Sequence, residues 1–235
     1  MLKKNLTLLL GIILFLGWRF SNRFITNPDY FKINVKGEYI PFQGVTVVAS
    51  IGAQNKELWQ KIYEELNQNK LLKQFYTLLP VDSYHMTTLN LFTERSKKTG
   101  NWKDFITGQL PFFQNINKKL EAEAFPPHVN LERPGVAKTL QITIQLDKEE
   151  KEKIQSLGKE FSQQKNVPNP LHVTLGYLYR DMGKGTRDQI FLKLQRIMKK
   201  ILASYKKPVV LDTPKLCYFK DMQEFIPWNG DTNPF

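Results

Sequence analysis

The sequence predicts an α+β protein with two lobes, each of which lays helices on one face of a sheet. Two observations support this fold class. Apolar residues alternate along some stretches, as in strands, and recur every three or four positions along others, as in helices. The order strand, helix, strand, helix occurs in both halves of the chain, so the two lobes are expected to share one plan.

The first half contains two predicted strands and two predicted helical regions. The first strand is rich in β-branched residues, and the helical region after it has apolar residues at helical spacing. In order, the elements are strand 45–51, helical residues 58–76 with a polar break before Leu71, strand 84–92, and helical residues 102–120 with a break at Pro111.

The second half repeats this order. Its first strand alternates strictly between apolar and polar residues, and its last helix has the longest series of helically spaced apolar residues. In order, the elements are strand 139–146, a helix capped by Asp147, strand 171–179, a helix from Thr186 that Pro208 stops, and one or two strands within 209–220.

The net charge is unevenly distributed. The chain has 235 residues and a formal charge of +12, and its hydrophobic content of 41% excludes a wholly disordered protein. Residues 1–24 carry four cations and no carboxylate, and residues 184–207 carry eight cations and one carboxylate. The remainder is nearly neutral, so the charge does not mark the functional site. A single cysteine and three histidines leave little room for a metal site, and no cofactor is expected.

An apolar run of 13 residues, 6–18, follows Lys3 and Lys4. As a helix it would span about 20 Å, less than a hydrocarbon core of about 30 Å, and this length is typical of a signal peptide. An uncleaved signal anchor, a cleaved signal peptide and a hydrophobic helix on a cytosolic protein all stay open. We expect one of the first two, hence an anchored or exported protein that associates with the membrane through 6–18. The predicted divisions are a signal segment at 1–24, a linker at 25–36, one domain at 37–228 and a tail at 229–235.

Two of the three histidines lie in one repeated pattern. His85 and Thr87 are separated by one residue, as are His172 and Thr174, and each pair falls in a predicted strand. Side chains at i and i+2 of a strand share one face, so each motif presents an imidazole beside a hydroxyl. Two opposed imidazoles suit general acid–base catalysis near neutral pH, and the hydroxyls can donate to an anionic phosphate oxygen. A metal held by the same histidines is the less favoured alternative, because no carboxylate or cysteine cluster lies near them in sequence.

With these motifs, the sequence resembles the 2H phosphoesterase superfamily and, within it, the DUF1868-type group. Residues 37–48, with a Pro-Phe-x-Gly turn before the first strand, are similar to that group's opening motif. Residues 83–87 (SYHMT) are similar to its first catalytic motif, and 216–225 (LCYFKDMQEF) to its closing motif. One departure is Thr88, which follows the first motif where an apolar residue is usual.

The resemblance implies a bilobal fold of two antiparallel-rich sheets with outer helices and a central cleft. It also implies a metal-independent phosphodiesterase, with His85 and His172 as the acid–base pair and Thr87 and Thr174 as phosphate contacts. The resemblance leaves the substrate open. We expect a nucleotide or a short RNA, with a 2′,3′-cyclic phosphate as one candidate, and a monomeric protein.

Other side chains are weaker candidates. Tyr218 and Phe219 are candidates for contact with a nucleobase and Lys215 for contact with a phosphate, although packing in the core is the favoured explanation of the two aromatic residues. Tyr177 is expected on the opposite face of its strand from His172 and is predicted to pack in the core. Cys217 is predicted to be an inert buried thiol.

Two other functions stay open. One is a non-catalytic module that binds a nucleotide or an RNA end on the same fold. The other is a membrane-surface protein whose anchor and basic helix at 184–207 dominate.

Overall fold

The computed structural model describes residues 31–96, 100–123, 125–205 and 209–235. Its strands are β1 Gly44–Ser50, β2 Tyr76–Leu78, β3 His85–Thr93, β4 His128–Val136, β5 Thr139–Gln145, β6 His172–Leu178, β7 Val209–Val210, β8 Lys215–Phe219 and β9 Ile226–Pro227. Its helices are α1 Lys56–Asn67, α2 Lys70–Lys73, α3 Trp102–Gly108, α4 Leu110–Ala122, α5 Lys148–Glu160 and α6 Lys184–Ser204.

The strands form an antiparallel arrangement in the order β7-β4-β5-β6-β3-β1-β8-β9. In addition, β2 pairs with the C-terminal part of β6. The two halves of this arrangement meet at β3 and β6, where Met86 and Val173 are the paired residues. The predicted α+β class with two lobes is therefore confirmed. The two expected sheets are continuous through this one junction, instead of being separate.

Each half carries its own helices. One hydrophobic cluster joins α1 and α6 to the β5–β6 half, with Trp59, Leu194 and Val173 among its buried members. A second cluster joins α3 and α4 to β1 and β8, with Trp102, Val47 and Leu216 among its buried members. The helices therefore cover the outer face of the strands, and the opposite face is left for the cleft.

Three local predictions were wrong. Tyr76, predicted to be helical, begins β2. The helix 102–120 is interrupted at Gln109 and not at Pro111, which lies in the first turn of α4 where a missing N–H costs nothing. Strand β4 was missed because Pro134 and its charged neighbours hide the alternation, and the register of β4 against β5 shifts between Leu131 and Pro134.

The packed body includes residues on both sides of 37–228. Ile33, in the stretch predicted as a linker, is fully buried and forms a bridge with Tyr39. Phe235, in the predicted tail, packs against Trp102 and Tyr218. The predicted signal segment, 1–24, lies outside the described residues. Among those that are described, no helix has the length and apolar character needed to cross a membrane.

We expect Met86→Ala to lower the free energy of unfolding by at least about 2 kcal/mol, because it removes a fully buried side chain at the junction of the two halves. Urea denaturation would measure this change. Leu192→Ala, on the exposed side of α6, is the control and should change stability by less than about 0.5 kcal/mol. Equal effects of the two substitutions would contradict the packing described for Met86.

Candidate functional site

The two His-x-Thr motifs lie side by side at the junction of the halves. Met86 pairs with Val173 in antiparallel register, so His85 lies towards Thr174 and Thr87 lies towards His172. All four side chains line one pocket of about 370 Å³. The alternation of side chains within a strand predicts that each histidine shares a face with its own threonine. That the two strands are neighbours follows only from the fold.

The two imidazoles are held in the same way. Nδ1 of His85 is 2.7 Å from the carbonyl oxygen of Ser83, and Nδ1 of His172 is 3.0 Å from that of Pro170. A carbonyl oxygen only accepts, so each Nδ1 carries a hydrogen and donates it. Each Nε2 is left for the pocket, where it binds a proton in one state of the ring and accepts a hydrogen bond in the other.

The surroundings of the two imidazoles differ. The Phe225 ring contacts His85, with 4.0 Å between ring centroids, and Phe225 in turn packs on Phe219. The pKa of His85 is lowered to about 4, chiefly by burial; the hydrogen bond with the Ser83 carbonyl opposes this effect, and the charges of His172 and Lys32 add to it. His85 is therefore neutral at pH 7, with a free lone pair on Nε2.

Opening the aromatic wall should raise the pKa of His85. In Phe225→Ala, water reaches the ring and the charged form is less disfavoured, so we expect the pKa to rise from about 4 by about one unit or more towards its usual value near 6.5. Titration of the His85 Cε1–H proton by NMR would measure this. Phe225→Leu keeps an apolar group beside the ring and is the control. A pKa that is unchanged in Phe225→Ala would contradict burial as the cause.

Register shifts in β6 and β3 shape the pocket, and two of them change the placement of residues discussed above. In β6, Thr174 pairs with Gln141 and Gly176 with Leu140, so Leu175 is an extra residue and the alternation of faces reverses after it. Tyr177 is buried in the core, as predicted, and because of the bulge it also lines the same pocket as His172. Gly176 permits this geometry, since a Cβ at that position would lie 2.6 Å from the backbone oxygen of Thr77.

The second bulge explains the unusual Thr88. Val47 pairs with Leu89 and Val48 with Thr87, so Thr88 is the extra residue in β3. Its buried hydroxyl donates to the carbonyl oxygen of Val47, at 3.2 Å. This hydrogen bond explains why a buried threonine is tolerated at a position where an apolar residue was expected.

The weaker substrate-binding candidates are separated by the structure. Phe219 lines the pocket and is stacked on Phe42. Tyr218 follows the opposite face of β8 and packs against Trp228 and Phe235. Lys215 is exposed and lines a different cavity, together with Trp228. Neighbouring residues of a strand face opposite ways, so Tyr218 and Phe219 do not line one site together.

Sequence reasoning missed several residues of the pocket. Lys32, from the stretch predicted as a linker, lines it, as do Phe42, Met222 and Phe225. The Lys32 ammonium lies 4.9 Å from the centroid of the Tyr177 ring and 5.3 Å from that of Phe42. Phe42 and Phe225 fall within the opening and closing motifs, and this was the available signal for them. Nothing near Lys32 in sequence distinguishes it from other lysines.

The remaining reactive side chains do not join this site. Burial raises the pKa of the Cys217 thiol to about 12, so no thiolate forms near neutral pH. His128 lies outside the pocket, where its Nδ1 is 3.0 Å from Oε1 of the buried Glu150. In the part of the chain that the structure describes, no three His, Cys, Asp or Glu side chains are grouped as metal ligands would be.

Comparison with known proteins supports the motif analysis. The family model named 2H-phosphodiest, described as a domain of unknown function (DUF1868), matches residues 32–132. This part of the chain is therefore similar to the DUF1868 family. The matched residues include Lys32, the opening motif and the His85 motif, whereas the His172 motif lies beyond them.

Two similar proteins can be aligned with most of the length of this chain. The uncharacterized protein 127L of Invertebrate iridescent virus 6 is 26% identical over 227 residues, which are 87% of this chain and 93% of that protein. The crystal structure of ATU0111, a conserved protein of unknown function from Agrobacterium tumefaciens str. C58, has a TM-score of 0.62 at 19% identity, and the match covers 84% of this chain and 89% of that one. The fold is therefore shared with a solved structure.

A more distant likeness is to Kluyveromyces marxianus Usb1, solved with uridine monophosphate. Its TM-score is 0.43 at 10% identity, and the match covers 80% of this chain and 98% of that one. A likeness this distant assigns neither substrate nor mechanism to this chain.

Proposed function

We propose that this protein is a metal-independent phosphodiesterase that hydrolyses a nucleotide or RNA phosphodiester, with a 2′,3′-cyclic phosphate as the simplest substrate. One observation carries the proposal. The two imidazoles have Nδ1 fixed in the same way, and they line one pocket with two threonine hydroxyls between them.

The roles of the imidazoles follow from their surroundings. His85 is neutral at pH 7, so its Nε2 takes a proton from the attacking water as the new P–O bond forms. His172 delivers the proton on its Nε2 to the leaving oxygen as the old P–O bond breaks. For a cyclic phosphate, that oxygen becomes a ribose hydroxyl and the product is a phosphomonoester. Exchange with solvent then returns one proton from His85 to the medium and restores one to His172.

The threonines complete the reaction centre. Thr87 and Thr174 each lie two positions after their own histidine and opposite the other histidine, so a phosphate between the imidazoles meets both hydroxyls. Their O–H groups donate to the non-bridging oxygens, whose negative charge grows in the transition state. Phe219 and Phe225 form the apolar wall next to His85, against which the nucleoside part of the substrate would lie.

The direct test is a substrate panel assayed with the full chain in excess EDTA. The panel contains the four 2′,3′-cyclic nucleoside monophosphates and dinucleotides with a 3′,5′ linkage, with products identified by phosphorus NMR. The double variant His85→Ala/His172→Ala, prepared in the same way, controls for contaminating enzymes. Hydrolysis by the wild type alone supports the proposal. Absence of product, or activity that EDTA abolishes, would overturn it, and saturable binding without product would favour the non-catalytic binding module.

A further inference from the structure

The longest helix of the described residues, α6, carries most of its charge on the side that faces away from the strands. Its inner side packs on the β5–β6 half through Ile190, Leu194, Ile197, Met198 and Ile201, which are all buried. The helix has six Lys or Arg residues and one Asp, and most of these cations are exposed on the outer face of α6. This face lies away from the reaction centre, since none of the described residues of α6 lines the pocket of the two histidines.

Most of the cations on this helix are not neutralised by a neighbour. Arg187 pairs with Asp188 at 3.0 Å, and Lys200 pairs with Glu65 of α1 at 2.6 Å. These two pairs use the one carboxylate of α6 and the carboxylate that α1 brings to it. The cations that have no anionic partner among the described residues are Lys184, Lys193, Arg196 and Lys199.

The unpaired cations surround an exposed leucine. Leu192, Arg196 and Lys199 are four and three positions apart, so they lie along one stripe of the helix, and Lys193 lies beside that stripe. Leu192 is 49% exposed, although a residue of this type is usually buried in a helix that packs on a core. From Lys184 to Lys199 the face extends for about 22 Å.

A row of cations with an apolar side chain at its centre fits an anionic lipid surface. Lys and Arg are attracted to the anionic headgroups, and an apolar side chain enters the boundary between the headgroups and the acyl chains. Single-stranded RNA fits less well, because its bases stack on aromatic rings and no exposed position of α6 holds Phe, Tyr or Trp. The apolar run at 6–18, which the sequence predicts to associate with a membrane, also favours lipid.

We propose that the outer face of α6 docks on an anionic lipid surface through Lys193, Arg196 and Lys199, with Leu192 between them. This proposal does not depend on the reaction proposed above. Because the helices cover one face of the strands and the pocket lies on the other, docking leaves the two histidines open to substrate.

A fluorescent label on α6 tests this contact directly in the full chain. Gln195→Cys places a thiol on the exposed side of α6, and a nitrobenzoxadiazole label attached there brightens when it enters the lipid interface. The native Cys217 is buried and its thiol pKa is raised to about 12, so it does not compete for the label. The labelled protein is mixed with vesicles of phosphatidylcholine alone, or of phosphatidylcholine and phosphatidylserine in equal amounts.

We expect the label on α6 to respond to the vesicles that contain phosphatidylserine and not to the neutral vesicles, and we expect salt to reverse the response. The comparison is made at the salt concentration where half of the labelled α6 contacts lipid. There, Lys193→Gln/Arg196→Gln/Lys199→Gln should lower the ratio of bound to free α6 about 10²-fold, because each cation near an anionic surface contributes about fivefold.

Two controls separate this face from the rest of the surface. Lys73→Gln/Lys103→Gln/Lys118→Gln removes three exposed cations from α2, α3 and α4, and it should keep the ratio within about twofold of the wild type. A label at Asn115→Cys, exposed on α4 in the other half, should not respond to either kind of vesicle. A thermal melt of each variant confirms that it is folded.

Three results would each overturn the proposal: no response of the α6 label to phosphatidylserine, an equal response to neutral vesicles, or a response that the α6 charge variant keeps. A response to single-stranded polyuridine that is absent with vesicles would also reject lipid and would assign this face to nucleic acid. The hydrolysis assay in EDTA is decided separately, because none of the substituted residues lines the pocket.

Discussion

Replacing either His85 or His172 by alanine is expected to lower kcat about 10³-fold on the best substrate of the panel. Each variant removes one of the two groups that move a proton in the same step, and general acid or base catalysis contributes about 10² to 10⁴ in rate. The double variant should be little slower than the slower single variant, since groups that act as a unit show strongly non-additive effects.

The matched control for these variants is His128→Ala. His128 is the third histidine of the chain, and its Nδ1 contacts Glu150 away from the pocket, so its loss should leave kcat within about twofold of the wild type. Steady-state rates in EDTA give the comparison. Full activity in both His85→Ala and His172→Ala would refute the acid–base assignment.

The second large effect concerns the hydroxyls. Thr87→Val and Thr174→Val keep the shape of the side chain and remove its donor, so each should lower kcat about 10²-fold, as the loss of one donor to a developing negative charge does. KM should change less than kcat, because the hydroxyls bind the transition state more strongly than the ground state.

Two further variants make this prediction specific. Thr87→Ser restores a hydroxyl and should recover most of the rate. Thr139→Val is the control, since Thr139 lines the same pocket but its hydroxyl already donates to Oε1 of Gln141 at 2.8 Å. A loss in Thr139→Val as large as in Thr174→Val would show that pocket polarity, and not a direct contact with phosphate, is responsible.

Much of this site is predictable because a strand imposes a period of two. Once 84–92 and 171–179 are read as strands, His85 with Thr87 and His172 with Thr174 must share a face. The similar order of elements in the two halves also makes neighbouring positions for the two motifs a reasonable expectation. The outward placement of the helices follows from their amphipathic faces.

The rest of the site depends on interactions that no local pattern records. The bulge at Leu175 brings Gly176 close to the backbone of Thr77, which lies about a hundred positions earlier in the chain. The face of β6 on which Tyr177 lies therefore could not be predicted from the local sequence. Strand β4 is stabilised by its partners on both sides and tolerates Pro134 at a shift in register. Lys32 reaches the pocket because Ile33 is buried by elements far along the chain.

The matching hydrogen bonds from Nδ1 of His85 and His172 have a consequence for the direction of proton flow. Each imidazole donates to the carbonyl two residues before it, so the motifs themselves contain nothing that makes one an acid and the other a base. In the proposed mechanism that difference comes from the neighbours, which include the Phe225 ring against His85. The two His-x-Thr motifs are thus nearly equivalent, and only the residues around them distinguish the two imidazoles. The reverse of the proposed reaction would use the same two histidines with their roles exchanged.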